Sequence, residues 1–390
     1  LEAGIWTPAS SIWKNNVSAL DNGTDQSSTH WAVQVGEDIL GERGRDRFEI
    51  RALLNSSVDA AKRAIEYYNL PPDTKAYGSA DDLAKDGDID LVVCTTRVDV
   101  HYDTVKPSVE AGKAVFVEWP LAENVQRATE LADLARKSGS LTLVGIQARV
   151  GPVAVKLREL LGSREVGKVL SSSVQAFSPY SNRESVSEGL AYFLDKAVGG
   201  NPITIAFGHM IDFVHSVIGE FESSNSHVQI QHPEQAIIGT DGKEKTRHTS
   251  DVPDLLSLHG TLQPSTSVAK GASLIVNFRK GPPFPGTLPF VWTINCEKAE
   301  IRITSERGPF LQSESNSYPV PIELHDFASG EVKKVEWHWE DWQEVIGARS
   351  RNIGKLYDLY AEGKLEAASC ATFDSAVWRH KQLDRILYEQ

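Results

Sequence analysis

Hydrophobic and polar positions along the first 150 residues predict strands that alternate with helices. Short apolar runs rich in Val, Ile and Leu and bounded by turn residues are typical of buried strands. Such runs lie in "RFEIRALLNSS", "IDLVVCTT", "AVFV" and "SLTLVGIQ", which begin at Arg47, Ile89, Ala114 and Ser140. Between them apolar residues recur at helical spacing, as in "VDAAKRAIEYYNL".

The clearest helix is predicted over residues 125–138. Asn124 is a suitable N-cap, because its side-chain oxygen can accept from the first free N–H groups of a helix. The apolar residues on one face of this helix are Ala128, Leu131, Leu134 and Ala135. Strands that alternate with helices through short connections form a parallel sheet covered by helices. The pattern therefore predicts an α/β domain with a doubly wound Rossmann-type sheet over residues 1–150.

The pattern changes after about residue 150. A helix over Val153–Leu161 precedes "KVLSSSVQAF", which alternates like a strand, and an apolar helix is predicted around 203–218. Further strand candidates are "SHVQIQH", "LLSLHGTL", "ASLIVNF", "FVWTINCEKAEIRIT" and "VKKVEWHW". Several strands at such spacing are typical of a largely antiparallel sheet. Residues 151–390 are thus predicted to form an α+β domain that ends in helices.

The first 29 residues fit this plan poorly. A Rossmann domain needs a first strand and a turn that lets the backbone approach a pyrophosphate, yet no G-x-G-x-x-G occurs there. "WAVQVGEDIL" is a candidate first helix, with "ALDNGTDQSST" as a divergent phosphate loop. "SIWKNNVSAL" is then a poor first strand, because Lys14 and two asparagines interrupt it. We expect residues 1–29 to be weakly packed and to contribute no central strand.

Composition and charge argue against several classes of function. The chain has 390 residues and a formal net charge of −13, which argues against binding to nucleic acids or to anionic membranes. No apolar run approaches the roughly 18 residues that span a bilayer. Cys94, Cys296 and Cys370 lack the spacing of a zinc site or a disulfide framework. We therefore expect no metal and a cytoplasmic location, with the nucleus as a second compartment.

Polar residues follow the predicted strands of the first domain, where α/β proteins bind ligands. Thr95 and Thr96 could contact a ribose or a pyrophosphate, or simply cap the next helix. Asn55, Ser56 and Ser57 end the second strand without an acidic residue. A carboxylate there would bind the ribose of NAD and repel the 2′-phosphate of NADP. Its absence permits NADP, although an ordinary turn would have the same residues.

Two polar residues interrupt the apolar helix around residues 203–218. His209 and Asp212 are three positions apart, which puts them on one face. Imidazole titrates near neutrality, so His209 is a candidate acid or base. A lone histidine on an apolar helix is more often a hydrogen-bonded core residue.

Five segments in order resemble a known family. They are "TTRVDVHYD", "FVEWPL", "VGIQARVGPVAVKLRELL", "ITIAFGHMIDF" and "VPDLLSLHGTL". With them the chain resembles the Gfo/Idh/MocA oxidoreductases, and within these the fungal Gal80-like branch, over roughly residues 31–390. The resemblance implies a Rossmann domain, a second domain with an open, mainly antiparallel sheet, and NAD or NADP between them. It also implies a homodimer formed through the open face of that sheet.

The resemblance further implies the residues of the site. Those on the cofactor side are Ser56, Thr95, Thr96, His101, Glu118, Trp119, Pro120 and Gln147. As alternatives, Glu118 would be a solvated carboxylate at a turn, Trp119 an aromatic residue packed between the domains, and His101 a residue packed on the sheet edge. Arg149 would lie near the nicotinamide or form a salt bridge between the domains. His209 is the first catalytic candidate. The loop with Tyr180, Tyr192 and Lys196 lies where family enzymes line the substrate pocket. Tyr192 or Lys196 could therefore replace the lysine that family enzymes use, and Tyr192 is the second catalytic candidate.

Two departures from the family pattern bear on catalysis. Family enzymes carry E-K-P where this chain has Glu118-Trp119-Pro120, and tryptophan cannot supply the transferable proton of that lysine. Ile205 replaces an aspartate four positions before the histidine. Only His209 is left of the Lys/Asp/His set.

Two functions therefore stay open, and the motifs favour both over a relative that has lost the cofactor. The first is an NAD(P)-dependent oxidoreductase acting on a small hydroxylated or carbonyl compound, which the prevalence of enzymes in this fold favours by analogy. The second is a non-catalytic, dinucleotide-sensing regulator that binds a protein partner, which Trp119 and Ile205 favour. We adopt the oxidoreductase as the working hypothesis.

Overall fold

A six-stranded parallel sheet forms the centre of the N-terminal domain. The computed structural model describes residues 15–20, 44, 46–179 and 181–389. The sheet contains β1 (Asn15–Leu20), β2 (Phe48–Leu54), β3 (Lys75–Tyr77), β4 (Leu91–Cys94), β5 (Ala114–Val117) and β6 (Thr142–Val144). Their order is β3-β2-β1-β4-β5-β6, and every pairing is parallel. The predicted doubly wound sheet is confirmed.

Helices connect the strands of this sheet. They are α1 (Val58–Tyr67), α2 (Ala80–Ala84), α3 (Val98–Glu110) and α4 (Val125–Ser138). The bounds of α4 are those predicted, and the Asn124 side chain accepts from the N–H of Arg127 at 2.9 Å. Gly139 ends α4 in the left-handed conformation, with φ of 74°, which glycine adopts without steric cost.

The expectation that the N-terminal residues contribute no central strand is wrong. β1 lies between β2 and β4, and Val17 is in register with Ile50 on one side and Leu91 on the other. Pairing on both sides satisfies the backbone groups of β1, so tertiary context overrides its weak strand propensity. Residues 21–43, which hold most of the proposed phosphate loop and all of the proposed first helix, lie outside the described residues.

An eight-stranded sheet forms the C-terminal domain. Its strands are β7 (Val169–Ser178), β9 (Phe221–Gln229), β12 (Leu255–Leu262), β13 (Val268–Lys280), β14 (Phe290–Cys296), β15 (Ala299–Ser305), β16 (Ile322–Asp326) and β17 (Val332–Val335). The order is β17-β16-β15-β14-β7-β13-β12-β9. Only the pairing of β7 with β13 is parallel among those described, so the expected mainly antiparallel sheet is confirmed. A smaller sheet contains β8 (Ser185–Ser187), β10 (Glu234–Ile238) and β11 (Glu244–Thr249).

The two faces of the large sheet differ in chemistry. Its inner face packs on helix α6 (Gly208–Ile218), where the rings of Phe213 and Trp292 meet edge to face at 5.2 Å. The outer face carries small polar side chains that bond to one another across strands, such as Ser173 to Thr293 at 2.8 Å. One face therefore belongs to the core, and the other is left open. Helix α5 (Pro152–Ser163) precedes the sheet.

The last helices of the chain return to the first domain. They are α7 (Asp341–Glu344), α8 (Arg351–Ala361) and α9 (Phe373–Tyr388). On α8, the ring of Tyr357 lies 5.8 Å from Phe48 and 5.5 Å from Phe116, so this helix covers one face of the parallel sheet. Just before α9, the carbonyl of Ala371 accepts from the N–H of Val144 at 2.9 Å. In the described part of the chain, no helix has the length and apolarity to cross a membrane.

A buried network of charges joins these parts. Arg149, in the turn after β6, forms two hydrogen bonds of 2.6 and 2.7 Å with the carboxylate of Asp212 on α6. Arg379 on α9 reaches the same carboxylate at 3.2 Å and Glu220 at 2.6 Å. Two roles are expected for Arg149, a position near the nicotinamide or a salt bridge between the domains. In the structure Arg149 forms the salt bridge. Burial alone would raise the pKa of Asp212, but Arg149 and Arg379 outweigh it and hold that pKa at about 2.

We expect Asp212→Asn to destabilise the protein by about 3–5 kcal/mol, because it leaves the buried guanidinium of Arg149 without a counter-charge. Urea denaturation monitored by tryptophan fluorescence measures this loss. Asp133→Asn is the matched control, since its ion pair with Arg136 is exposed and worth less than about 1 kcal/mol. Equal losses in the two variants would contradict the role given to the network.

Candidate active site and dinucleotide cleft

A cleft of about 310 Å³ lies at the carboxyl ends of β2 and β4. Among its lining residues are Ser56, Gly78, Thr96 and Asp103. In the strand order of this sheet, the direction of winding reverses between β1 and β4. Open α/β sheets bind ligands outside the carboxyl ends of the strands at this reversal point. The structure thus brings two of the expected cofactor residues, Ser56 and Thr96, into one suitable cleft.

In the turn after β2, some polar residues make structural hydrogen bonds and another lines the cleft. Ser57 caps α1 by accepting from the N–H of Ala60 at 3.1 Å, and the Asn55 side chain accepts from the N–H of Ser56 at 2.6 Å. The Ser56 side chain remains exposed. A Cβ on Gly78 would lie 2.7 Å from the nitrogen of Val58, so only glycine permits this close approach. Ser56 is therefore the residue of this turn that is available to a nucleotide.

The loop after β4 is fixed from below by a buried histidine. The ring nitrogens of His101 lie 2.7 Å from the carbonyl of Thr96 and 2.9 Å from that of Pro120. Burial lowers the pKa of His101. Helix α3 begins after Arg97, whose side chain makes no capping hydrogen bond. His101 thus holds the loops after β4 and β5 together, below the residues expected at the cofactor.

Trp119 lies in the contact between the domains. Its indole is 5% exposed and donates to the carbonyl of Thr204 at 2.7 Å. A Cβ on Gly208 would lie 2.8 Å from the indole nitrogen, and the ring of His380 is 4.8 Å away. The peptide bond between Trp119 and Pro120 is cis. The position that resembles the family lysine is therefore filled by a side chain packed between α6 and α9.

Glu118 has a different environment from its neighbour. Its N–H donates to the carbonyl of Cys94 at 2.9 Å. A Cβ on Gly145, after β6, would lie 2.3 Å from the Glu118 carboxylate oxygen Oε2. The residue keeps partial exposure, but protein atoms crowd the carboxyl group. This burial raises the pKa of Glu118 to about 8, although the N–H of Trp119 favours the ionised form.

Several buried polar atoms near the domain contact have no hydrogen-bond partner among the described residues. Among them are Oε1 of Gln147, Nδ1 of His209, Nδ2 of Asn201 and Nε2 of His380. Burial lowers the pKa of His209 to about 4, so its imidazole is neutral at pH 7. Asp212 is bonded to arginines and does not orient His209. Unpartnered buried groups are costly, which favours a ligand at this contact.

The candidate substrate loop packs on the start of α3. A Cβ on Gly200 would lie 3.0 Å from Val98, 3.1 Å from the ring of Tyr192 and 3.5 Å from Ile205. Tyr192 therefore lies beside the loop after β4. Its apolar neighbour Ile205 occupies the position at which the family pattern has an aspartate. Lys196 has its ammonium group 5.1 Å from the ring centroid of Tyr388 on α9. Tyr180 lies outside the described residues.

Several residues that contact Trp119 and Glu118 are not predicted from the sequence. Thr204, Gly208 and His380 surround Trp119, and Gly145 meets Glu118. A glycine after an apolar strand is a weak signal of close approach, while a histidine 261 positions from Trp119 gives none. No group of three side chains that could hold a metal occurs where the structure describes the chain.

The chain matches two family models. Residues 36–146 match the oxidoreductase family with an NAD-binding Rossmann fold, and residues 152–305 match the Gal80p C-terminal domain. It is 30% identical to dehydrogenase aclE of Aspergillus oryzae over 88% of this chain and 87% of that protein. It is also 28% identical to the galactose/lactose metabolism regulatory protein GAL80 of Kluyveromyces lactis, over 67% of this chain and 58% of that protein.

Solved structures share the fold of this chain. A super-repressor mutant of Gal80p from Saccharomyces cerevisiae aligns with a TM-score of 0.80 at 22% identity, over 96% of this chain and 95% of the other. Levoglucosan dehydrogenase in complex with NADH and levoglucosan aligns with a TM-score of 0.73 at 16% identity, over 96% of both chains. Both support the two-domain arrangement described above.

The buried histidines should make the protein sensitive to acid. Burial lowers the pKa of His209 and His215 to about 4 and that of His380 to about 3. Between about pH 6.5 and pH 4 the unfolded chain therefore binds protons that the folded chain does not, and stability falls as pH falls. We expect each histidine to remove about 1–2 kcal/mol by pH 5.

Melting temperatures measured from pH 8 to pH 5 test this expectation. His380→Phe keeps an aromatic ring against Trp119 and should lose less stability on acidification than the wild type. His248→Gln, on the exposed strand β11, should behave like the wild type. The assignment would be wrong if His380→Phe followed the wild-type curve.

Proposed function

The chain belongs to the Gfo/Idh/MocA oxidoreductase family and is similar to its Gal80-like members, and on that basis we propose that it is a dinucleotide-dependent oxidoreductase. It would move hydride between NAD or NADP and a small hydroxylated or carbonyl compound. The observation that carries the proposal is the cleft at the ends of β2 and β4, with Ser56 and Thr96 in its wall.

The residues present fit a dinucleotide. Ser56 would contact the adenosine half, and Thr95 and Thr96 would contact ribose or pyrophosphate. Glu118 and Gln147 follow β5 and β6 and would face the nicotinamide half. His101 and Pro120 support these loops from below. The bound dinucleotide supplies the hydride acceptor or donor. No carboxylate directly follows β2, which permits the 2′-phosphate of NADP at that strand end, although Asp103 lines the same cleft.

His209 is our candidate for the acid or base that moves the proton accompanying hydride transfer. Its imidazole is neutral and its Nδ1 has no protein partner among the described residues, so it can accept a proton from a substrate hydroxyl. Tyr192 is the second candidate. Its ring lies with Val98 and Ile205 around Gly200. The indole of Trp119 excludes water from this contact without exchanging a proton.

A second candidate function is a non-catalytic regulator that senses dinucleotide and binds a protein partner. The observation that favours it is the position of Trp119, which is committed to the domain contact where family enzymes have a reactive lysine. We place either protein in the cytoplasm, and a regulator also in the nucleus. The free state of all three cysteines supports a reducing compartment.

Calorimetric titration with NAD, NADP and their reduced forms, followed by turnover assays on sugars, polyols and ketones, distinguishes the two functions. Loss of a general acid or base costs about a hundred- to ten-thousand-fold in rate. We expect His209→Ala to lower turnover by that factor and to leave dinucleotide affinity nearly unchanged, while His248→Ala changes neither. Tight dinucleotide binding with no turnover, and no effect of His209→Ala, would select the regulator.

We also propose a homodimer formed through the outer face of the large sheet. This face carries polar side chains such as Ser173 and Thr293, and Ile275 on β13 is 51% exposed. Ile275→Lys should shift the protein towards monomer in sedimentation velocity, because it puts a charge into the contact. Val345→Lys is the control, since Val345 is 85% exposed and outside the sheet. A wild-type monomer, or a dimer that survives Ile275→Lys, would contradict the proposal.

A further inference from the structure

The strand ends of the parallel sheet form two halves with different chemistry. A dinucleotide bound at a sheet of this order lies across the reversal point, with one nucleotide on each half. The adenosine ribose is recognised at the end of β2, which leaves the ends of β4, β5 and β6 for the nicotinamide. Glu118 directly follows β5. Among the described residues, it is the carboxylate-bearing residue at the ends of β4, β5 and β6.

The carboxyl group of Glu118 is held between two strand ends. Its backbone is tied to β4 through the carbonyl of Cys94. The N–H of Gly145 donates to the carbonyl of Val117 at 2.8 Å, and the absence of a Cβ on Gly145 gives the carboxyl its space. The carboxyl group of Glu118 therefore lies between the ends of β5 and β6, in the half of the sheet that is left for the nicotinamide.

The surroundings of Glu118 contain no positive charge among the described residues. Burial raises the pKa of the Cys94 thiol to about 11, so that group is neutral. His380 packs on Trp119 and His101 contacts the carbonyl of Pro120. Burial lowers the pKa of His101, and it lowers that of His209 to about 4 and that of His380 to about 3, so burial disfavours the cationic form of all three. With a pKa of about 8, the Glu118 carboxyl carries its proton in the free protein.

We propose that Glu118 distinguishes the oxidised from the reduced dinucleotide by its protonation. The oxidised nicotinamide ring is a cation, and the proton of Glu118 leaves to solvent when that ring binds. The reduced ring is neutral, so the carboxyl stays protonated beside it. This inference rests on the dinucleotide binding proposed above and holds for an oxidoreductase as well as for a regulator.

Electrostatics gives the size of the effect. An opposite charge within about 4–6 Å lowers the pKa of a carboxyl by about 1–3 units. From a starting value of about 8, a shift of that size ionises Glu118 near neutral pH. By linkage, affinity for NAD⁺ then rises with pH, by up to about tenfold per pH unit at the steepest point. Affinity for NADH does not change with pH in this way, so rising pH favours binding of the oxidised form over the reduced form.

Isothermal titration calorimetry with NAD⁺ and NADH, at pH 7 in phosphate and in Tris, measures the protons released on binding. We expect the wild type to release between half a proton and one proton with NAD⁺ and close to none with NADH. Glu118→Gln, which mimics the protonated carboxyl, should abolish the release and flatten the pH dependence of NAD⁺ affinity.

Glu130→Gln is the matched control. Glu130 lies on α4, and its carboxylate accepts from the hydroxyl of Tyr102 at 2.7 Å and from the amide of Gln126 at 3.1 Å. These hydrogen bonds lower the pKa of Glu130, so the proton release of this variant should equal that of the wild type. Infrared difference spectroscopy of the wild type gives a readout that needs no variant. Addition of NAD⁺ should remove the band of a protonated carboxyl, and NADH should leave it.

The outcomes separate the inference from the function on which it rests. Binding of NAD⁺ without proton release, or release that persists in Glu118→Gln, would overturn the role of Glu118 and leave dinucleotide binding standing. Binding of neither dinucleotide would overturn both. Release of a proton with NADH as well as NAD⁺ would show that the group does not respond to the charge of the ring.

Discussion

The carboxylate of Asp212 is the point on which the arrangement of the domains depends. It is fully buried and receives Arg149 from the end of the first domain and Arg379 from α9. Two guanidinium groups around one carboxylate are stable in a protein interior only when all three are fixed in place. The turn that contains Gln147, the helix that contains His209 and the last helix of the chain are therefore set relative to one another.

Trp119 shows how this chain differs from a lysine-bearing oxidoreductase. A lysine in its place would lie against the backbone at Gly208 and beside the neutral ring of His380, where an ammonium group would lack a counter-charge. The indole instead fills the space and satisfies the carbonyl of Thr204. The substitution therefore affects more than one side chain, because Thr204, Gly208 and His380 form a pocket suited to an aromatic ring.

Local pattern predicts much of this fold. β5 and α4 have the bounds that their apolar spacing indicates, and Asn124 caps α4 as its residue type suggests. β1 escapes prediction because its neighbours β2 and β4, and not its own polar sequence, make it a strand. The site is predicted less well. Strand ends indicate Ser56, Thr96 and Glu118 as candidates, whereas the burial that lowers the pKa of His209 and raises that of Glu118 arises only from tertiary packing.

The return of α8 and α9 to the first domain bears on how the chain can be divided. Tyr357 covers Phe48 and Phe116, and the segment before α9 bonds to the edge of β6. A fragment cut at the apparent domain boundary would therefore carry a parallel sheet with one bare aromatic face and an unpaired edge at β6. Exposed apolar faces and open strand edges promote aggregation, so such a fragment would not behave as an independent dinucleotide-binding module.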